Sequence, residues 1–149
     1  MSIHWLRKHT VRTTTAVLHT VMNKHKPTEC AQCTFDPAAL AQFTGTDRYY
    51  RLNRLCVITE GAKYLSDTAG AYWLMDAAVS YLLELGTADW FVLVKLRVKD
   101  GQAVLTLEDG NGGIRAQQTI PYTDFPASEQ CLYACWDSQQ WVLMLPTEY

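Results

Sequence analysis

The sequence predicts an α+β fold, an antiparallel meander sheet of about five to six strands packed on one long central helix, with a short N-terminal helix. Residues 71–85 are apolar around most of a helical circumference, which is typical of a helix covered by other elements. The chain after residue 90 consists of short segments separated by turn residues, which is typical of antiparallel strands. With 149 residues, of which 48% are hydrophobic, the chain can bury one core.

The charge distribution divides the chain near residue 35. Residues 1–28 contain five basic and no acidic residues, a formal charge of +5, whereas residues 29–149 carry −7. All four histidines lie within residues 1–25, together with three consecutive threonines that lower helix propensity. We expect a basic, His- and Thr-rich, poorly ordered extension over residues 1–35 and a single α+β domain over residues 36–149.

Composition also predicts where the protein resides. The longest apolar runs are far shorter than the roughly 18–20 residues of a membrane-spanning helix, and the N-terminus has no sustained apolar segment. An odd number of cysteines, five, indicates reduced thiols more than a disulfide framework. We expect a cytoplasmic protein with no membrane attachment.

The first elements follow from capping and turn residues. Asp36 is suited to cap a helix over Pro37–Phe43, because Pro at the first helical position needs no hydrogen-bonded N–H. An aromatic and basic turn, Arg48–Arg54, precedes a buried strand over Leu55–Ile58. A short helical turn over Ala62–Asp67 then leads to the main helix.

The main helix is predicted from Ala71 to about Leu85, closed by Gly86. Its polar residues recur every four positions and form one narrow stripe: Tyr72, Asp76, Ser80 and Glu84. Apolar residues cover the remainder, so one sheet face is not expected to cover the helix completely. The extension or a second copy of the chain is expected to cover the rest.

The strands of the second half are bounded by turn signals. They are Trp90–Lys99, Gln102–Glu108, Ile114–Ile120, Cys131–Trp136 and Trp141–Leu145. Asp100-Gly101 predicts a two-residue hairpin turn, in which both residues need positive φ. In the third strand, alternation predicts that Ile114, Ala116, Gln118 and Ile120 share one face.

No catalytic or cofactor motif is evident. Because no histidine follows residue 25, residues 36–149 cannot supply a Ser-His-Asp or Cys-His arrangement from within. Neither a Walker motif nor a G-x-G-x-x-G following a strand is present. We expect no cofactor.

One weak alternative is a zinc site made by His25, Cys30 and Cys33. Thiolates and imidazoles are the ligands that tetrahedral zinc prefers. A single short Cys pair with this histidine spacing matches no standard zinc finger. Two free thiols in a linker are the favoured interpretation.

An enzyme would have to use carboxylate, tyrosine or lysine chemistry. The candidates near the central segment are Glu60, Lys63, Asp67, Tyr72 and Asp124. Turn and cap roles for these residues are the favoured interpretation, because acid–base catalysis needs groups in different environments that face one cleft.

Nucleic-acid binding is a second alternative. Basic and stackable side chains are interleaved at Arg48, Tyr49, Tyr50, Arg51 and Arg54. The basic extension would add phosphate contacts, but the net charge of −7 over residues 29–149 opposes binding to a polyanion.

A set of segments carries a resemblance over approximately residues 36–149. The segments are FTGTDRYYR, TEGAKYLSDTAGAYWLMD, LEDGNGG, IPYTDFP and the closing LPTEY. Together they resemble a small bacterial domain family of unknown function, found in genomes and on plasmids and phages. The resemblance implies an architecture and a genetic setting but no catalytic residue.

These observations favour a small non-enzymatic protein that binds another macromolecule, an accessory or host-interaction factor of a mobile genetic element. The expected partner is another protein or a second copy of the chain. Nucleic acid is possible but less favoured, and a small enzyme remains the other alternative.

Overall fold

The computed structural model describes residues 35–149, which contain seven strands, two α-helices and two short 3₁₀-helices. The strands are β1 (Tyr49–Asn53), β2 (Cys56–Thr59), β3 (Phe91–Lys99), β4 (Gln102–Glu108), β5 (Ile114–Ile120), β6 (Glu129–Trp136) and β7 (Trp141–Met144). The α-helices are α1 (Glu60–Thr68) and α2 (Tyr72–Leu85), and the 3₁₀-helices are Pro37–Gln42 and Pro146–Glu148. The α+β class is confirmed.

The predicted five-to-six-stranded antiparallel meander is wrong. The seven strands form one mixed sheet in the order β1-β2-β7-β6-β3-β4-β5. Only β3, β4 and β5 follow one another as a meander, after which the chain returns and β6 pairs with the free side of β3. β7 then pairs in parallel with β2. Turn signals predict which neighbouring strands form hairpins, but they carry no information about pairings between distant segments.

Two short elements were also predicted incorrectly. The Arg48–Arg54 segment contains an edge strand, β1, with a bulge between Arg51 and Asn53, where a turn was expected. The helical turn expected over Ala62–Asp67 is the nine-residue helix α1, capped by Thr59. The single long helix of the prediction therefore has a second helix beside it.

Several local predictions are confirmed. Asp36 caps the first helix by accepting from the Ala38 amide at 2.9 Å, although that helix is a 3₁₀-helix. Asp100 and Gly101 have φ of 53° and 73°, as the predicted hairpin turn requires.

Both α-helices contribute to a core on one face of the sheet, here called the helix face. The buried side of α2 consists of Leu74, Met75, Ala78, Val79 and Leu82. These residues belong to one cluster with alternate residues of the central strands, such as Val94 and Leu105, and with Leu65 of α1. The opposite sheet face, here called the open face, carries the other alternate residues, including Leu93 and Tyr133.

The polar stripe predicted for α2 faces outward. Tyr72, Asp76, Ser80 and Glu84 are all exposed. On the flank of the helix, the Trp73 and Phe125 rings lie edge to face with centroids 6.5 Å apart. The loop after β5 thus supplies cover that the sheet alone does not, while Leu83 and Leu85 stay exposed at the end of the helix. Within residues 35–149, no helix has the length and apolar character needed to cross a membrane.

A bulge at the start of β5 changes its alternation. Leu107 lies opposite Ala116 and Glu108 lies opposite Ile114, so Arg115 is an extra residue. Ile114 therefore lies on the open face, and its side chain is exposed. Its predicted place beside Ala116, Gln118 and Ile120 is wrong because a strict period of two cannot anticipate an inserted residue.

The C-terminal 3₁₀-helix is attached to the start of α1 by one carboxylate. Glu148 accepts hydrogen bonds from the Gly61 amide at 2.9 Å, the Leu145 amide at 3.0 Å and the Thr59 hydroxyl at 2.5 Å. A carboxylate at a helix N-terminus satisfies free N–H groups and interacts favourably with the helix dipole. This contact links the end of β7 to the end of β2.

Close packing at Gly61 makes this link testable. A Cβ atom added at Gly61 would lie 2.6 Å from Leu145 Cδ1 and 2.7 Å from Glu148 Oε2. We predict that Gly61→Ala lowers the free energy of unfolding by about 1–3 kcal/mol, because neither neighbour can move without losing burial or hydrogen bonds. Urea unfolding of the full chain measures the change.

Gly45→Ala is the matched control, because a Cβ there has no heavy atom within 4 Å. This change should alter the free energy of unfolding by no more than about 0.5 kcal/mol. Equal unfolding midpoints for the two variants would contradict the close packing around Gly61.

Candidate functional site

Three of the five residues proposed for an enzyme form a compact cluster. Lys63 Nζ lies 2.8 Å from Asp67 Oδ2 and 3.1 Å from the Tyr72 hydroxyl oxygen. The Tyr72 hydroxyl in turn donates to Asp67 Oδ1 at 2.6 Å. Lys63 and Asp67 are one helical turn apart in α1, and Tyr72 is the first residue of α2, which begins just after the reversal at Gly70.

The hydrogen bonds of this cluster hold Lys63 and Asp67 in their ordinary charged forms. Hydrogen bonds to Asp67 and then to Tyr72 raise the pKa of Lys63 above its usual value. The same two partners lower the pKa of Asp67. Lys63 also lies 5.3 Å from the centroid of the Tyr50 ring, where the π-face favours the ammonium form. A lysine that stays protonated is a poor nucleophile or base near neutral pH, so the geometry is that of an ion pair.

The remaining two of these five residues lie apart from the cluster. Glu60 accepts from the Asp47 amide at 3.4 Å, which ties the first turn of α1 to the loop before β1. Asp124 is exposed in the loop after β5. In the described part of the chain, neither residue hydrogen-bonds to Lys63, Asp67 or Tyr72.

The basic and aromatic residues around β1 are divided between two faces. Tyr49 and Arg51 alternate with Tyr50, which packs against the core. Arg51 donates to the carbonyls of Asn53 and Arg54 and, at 3.4 Å, to the Gln140 side chain. Arg48 and Arg54 are exposed. The two tyrosines therefore lie on opposite faces of the sheet.

The zinc alternative falls outside the described residues, because His25, Cys30 and Cys33 precede residue 35. Within residues 35–149, no group of three His, Cys, Asp or Glu side chains is placed to hold a metal ion.

One concave site of the described residues was not predicted from the sequence. It is a cleft of about 550 Å³, here called the aromatic cleft. Its lining is Ala88, Asp89, Trp90, Phe91, Asp109, Gly110, Asn111, Tyr133 and Tyr149. Phe91 and Tyr133 project from the open face of β3 and β6, and Tyr149 follows the C-terminal 3₁₀-helix.

Three rings of the cleft pack edge to face. The Phe91 and Tyr133 centroids are 5.0 Å apart, and Tyr149 lies 5.7 Å from Phe91 and 5.5 Å from Tyr133. Trp90 extends the group, 5.9 Å from Phe91. Trp90 and Tyr149 are 62% and 68% exposed, so the cleft presents aromatic surface to a ligand.

A network of charged groups forms the other side of the cleft. Arg115 Nε lies 2.9 Å from Asp89, and its Nη2 lies 3.2 Å from Asp109. Asp109 also accepts from the Asn111 and Gly113 amides, both at 2.9 Å, and these bonds are the main cause of its lowered pKa. These contacts hold the glycine-rich turn in one conformation and leave the carboxylate of Asp109 charged.

Sequence reasoning missed the cleft because its walls come from four distant segments. The alternation of β6 places Tyr133 opposite to Leu132 and Ala134, which the sequence does show. The return of β6 to β3, which brings Tyr133 beside Phe91, depends on the strand order. Asp109–Gly113 forms the turn between β4 and β5.

The ion-pair interpretation of Lys63 predicts slow modification of its amine. Because the raised pKa reduces the neutral amine fraction by about tenfold per pKa unit, Lys63 should be acetylated at pH 9 more slowly than exposed Lys99. Asp67→Asn should accelerate reaction at Lys63 and leave Lys99 unchanged. The full chain is acetylated in its folded state, and mass spectrometry of its peptides then measures the rate at each lysine. Equal rates at the two lysines in the unmodified protein would contradict the interpretation.

Comparison with known proteins identifies a family whose function is unknown. No curated protein matches the sequence. The solved structure titled "Crystal structure of the protein of unknown function from Enterococcus faecalis" is similar to this chain at 15% sequence identity. The similarity covers 66% of this chain and 93% of that one. Its TM-score of 0.39 is too low to support an argument about fold or function. A family model described as "Family of unknown function (DUF6876)" matches residues 36–149, so the chain belongs to that family.

Proposed function

We propose that the protein is a non-enzymatic binding protein whose open sheet face receives another protein, with the aromatic cleft as the anchor point. The main support for this proposal is a pair of largely exposed rings, Trp90 and Tyr149. They lie beside the half-buried Phe91 and Tyr133. Aromatic side chains in a preformed hollow are the residues that most often dominate binding energy. The resemblance to proteins of plasmids and phages suggests an accessory factor of a mobile genetic element.

Two further hollows support the choice of this face. One, of about 330 Å³, is lined by Tyr49, Cys135, Asp137, Gln140, Val142 and Met144. The other, of about 290 Å³, includes Arg97, Val104 and Thr119. By strand alternation these lie on the same side of the sheet as Phe91 and Tyr133. The open face therefore offers a row of concave sites along the sheet.

The charges of the open face favour a protein over a polyanion. Lys95 pairs with Glu108 at 2.9 Å, and Arg97 lies 3.7 Å from Glu129. Half-buried side chains such as Leu93, Cys131 and Met144 lie on the same face. The two basic groups of β3 already have acidic neighbours, so this central part of the face gains less from phosphate contacts than from apolar contacts.

Substitutions in the cleft test the proposal. The full chain, immobilised, is used to capture proteins from an extract of its source cells, and the dissociation constant of each captured protein is then measured. Trp90→Ala and Tyr149→Ala should each raise the dissociation constant of the partner by about tenfold or more, because anchor residues typically contribute about 2 kcal/mol or more.

Tyr122→Ala is the matched control, because Tyr122 is 79% exposed but does not line the cleft. It should leave the dissociation constant unchanged. A partner that binds all three variants like the unmodified protein would show that the aromatic cleft is not the anchor.

Nucleic-acid binding remains a second candidate because of a specific observation. Within residues 35–149, none of Arg48, Arg51 and Arg54 forms a salt bridge. Tyr49 beside them is 58% exposed. Arginines that form no salt bridge with the described residues, next to an exposed ring, are suited to single-stranded nucleic acid.

This candidate predicts a salt-dependent affinity that Arg48→Ala, Arg51→Ala and Arg54→Ala together reduce. If each arginine contacts one phosphate, the triple variant should lower the slope of log K against log salt by about 2 for a single strand. Fluorescence anisotropy with labelled oligonucleotides at several salt concentrations measures the slope. Binding that is absent, or that does not depend on salt, would contradict this candidate.

A further inference from the structure

The two edges of the sheet differ in how they are protected. At the β1 edge, Arg51 donates to the carbonyls of Asn53 and Arg54, and a bulge interrupts the strand. These features discourage pairing with another strand. At the β5 edge, the bulge residue Arg115 lies at the start of the strand, and Asp89 and Asp109 engage its guanidinium. The segment Ala116–Ile120 after it contains no charge, no proline and no bulge.

Every second residue of an edge strand directs its N–H and C=O groups away from the sheet. In the described part of the chain, β5 pairs with β4 alone. Among residues 35–149 the outward backbone groups of Ala116–Ile120 therefore have no partner strand, and they can pair with a further strand. Exposed strands that lack protective charges are the usual sites of such pairing.

The side chains of this segment are complementary to those of a second copy. In an antiparallel pair centred on Gln118, Ala116 lies opposite Ile120 of the other copy, and Gln117 lies opposite Thr119 of the other copy. Ala116 and Ile120 both pack against the core on the helix face. Gln117 and Thr119 are exposed on the open face. Apolar residues thus meet apolar residues, polar residues meet polar ones, and no like charges are opposed.

From this complementarity we propose that the protein forms a symmetric dimer in which β5 pairs antiparallel with β5 of a second copy, in the register centred on Gln118. Such an interface is isologous, because the same five residues serve both subunits. The two sheets become one sheet of fourteen strands, since each contributes seven. The proposal is independent of the partner proposed for the aromatic cleft, which lies on the open face.

A charge exchange at two positions tests the register. Gln117→Lys with Thr119→Lys places lysines opposite lysines twice across the interface, and Gln117→Glu with Thr119→Glu does the same with acids. Each double variant should raise the dimer dissociation constant by about tenfold or more, because like charges directly opposed are destabilising. An equimolar mixture of the two variants should form a heterodimer, because every opposed pair is then attractive. Analytical ultracentrifugation of the full chain measures each case.

Two controls separate loss of pairing from loss of folding. Thr44→Lys with Gln139→Lys adds the same charge at exposed positions outside β5 and should leave the dissociation constant unchanged. Thermal unfolding at low concentration should give the same midpoint for both β5 variants as for the unmodified chain, since Gln117 and Thr119 are exposed. An unmodified chain that stays monomeric at about 1 mM would overturn the proposal. So would a dimer that both β5 variants leave intact.

Discussion

The parallel pairing of β2 with β7 joins the two ends of the domain, and the rest of the sheet depends on it. Cys56, Val57 and Ile58 lie beside Trp141, Val142 and Leu143, so the β1–β2 hairpin attaches to the C-terminal strands through this pair. The pair brings distant parts of the chain together, which costs closure entropy that burial must offset. Cys56, Ile58, Trp141 and Leu143 are all almost completely buried. Glu148 reinforces the same junction by binding the first turn of α1.

Packing of both α-helices on one face of the sheet leaves the hollows on the other face. The apolar side of α2 and the buried side of α1 belong to one core with alternate residues of the strands. The other alternate residues are left half-buried on the open face, together with the hollows there. The C-terminal segment passes from Glu148, which is held at α1, to Tyr149, which packs on Phe91 and Tyr133. One short segment therefore both stabilises the fold and completes the aromatic cleft.

The polar clusters consist of charged groups held by direct partners. Lys63 and Asp67 are held in charged forms by each other and by Tyr72, so Lys63 does not supply a neutral amine near neutral pH. Asp109 is occupied by two amides and a guanidinium. Burial raises the pKa of the Cys56 thiol to about 12, so this cysteine is an apolar core residue and not a thiolate. The aromatic cleft differs from these polar clusters in its exposed rings, Trp90 and Tyr149.

Elements whose causes are local could be predicted from the residues of one segment. The polar stripe of α2, the Asp36 cap, the Asp100-Gly101 turn and the bounds of β4 follow from periodicity and backbone preference, and each is confirmed. Lys63 and Asp67 could be predicted as neighbours because one helical turn separates them. Three features emerge only in the folded chain: the strand order, the position of Ile114 on the open face, and the ring contacts among Phe91, Tyr133 and Tyr149. These features depend on pairings between distant segments, whose energy comes from burial of many residues at once and leaves no periodic signal in any one segment.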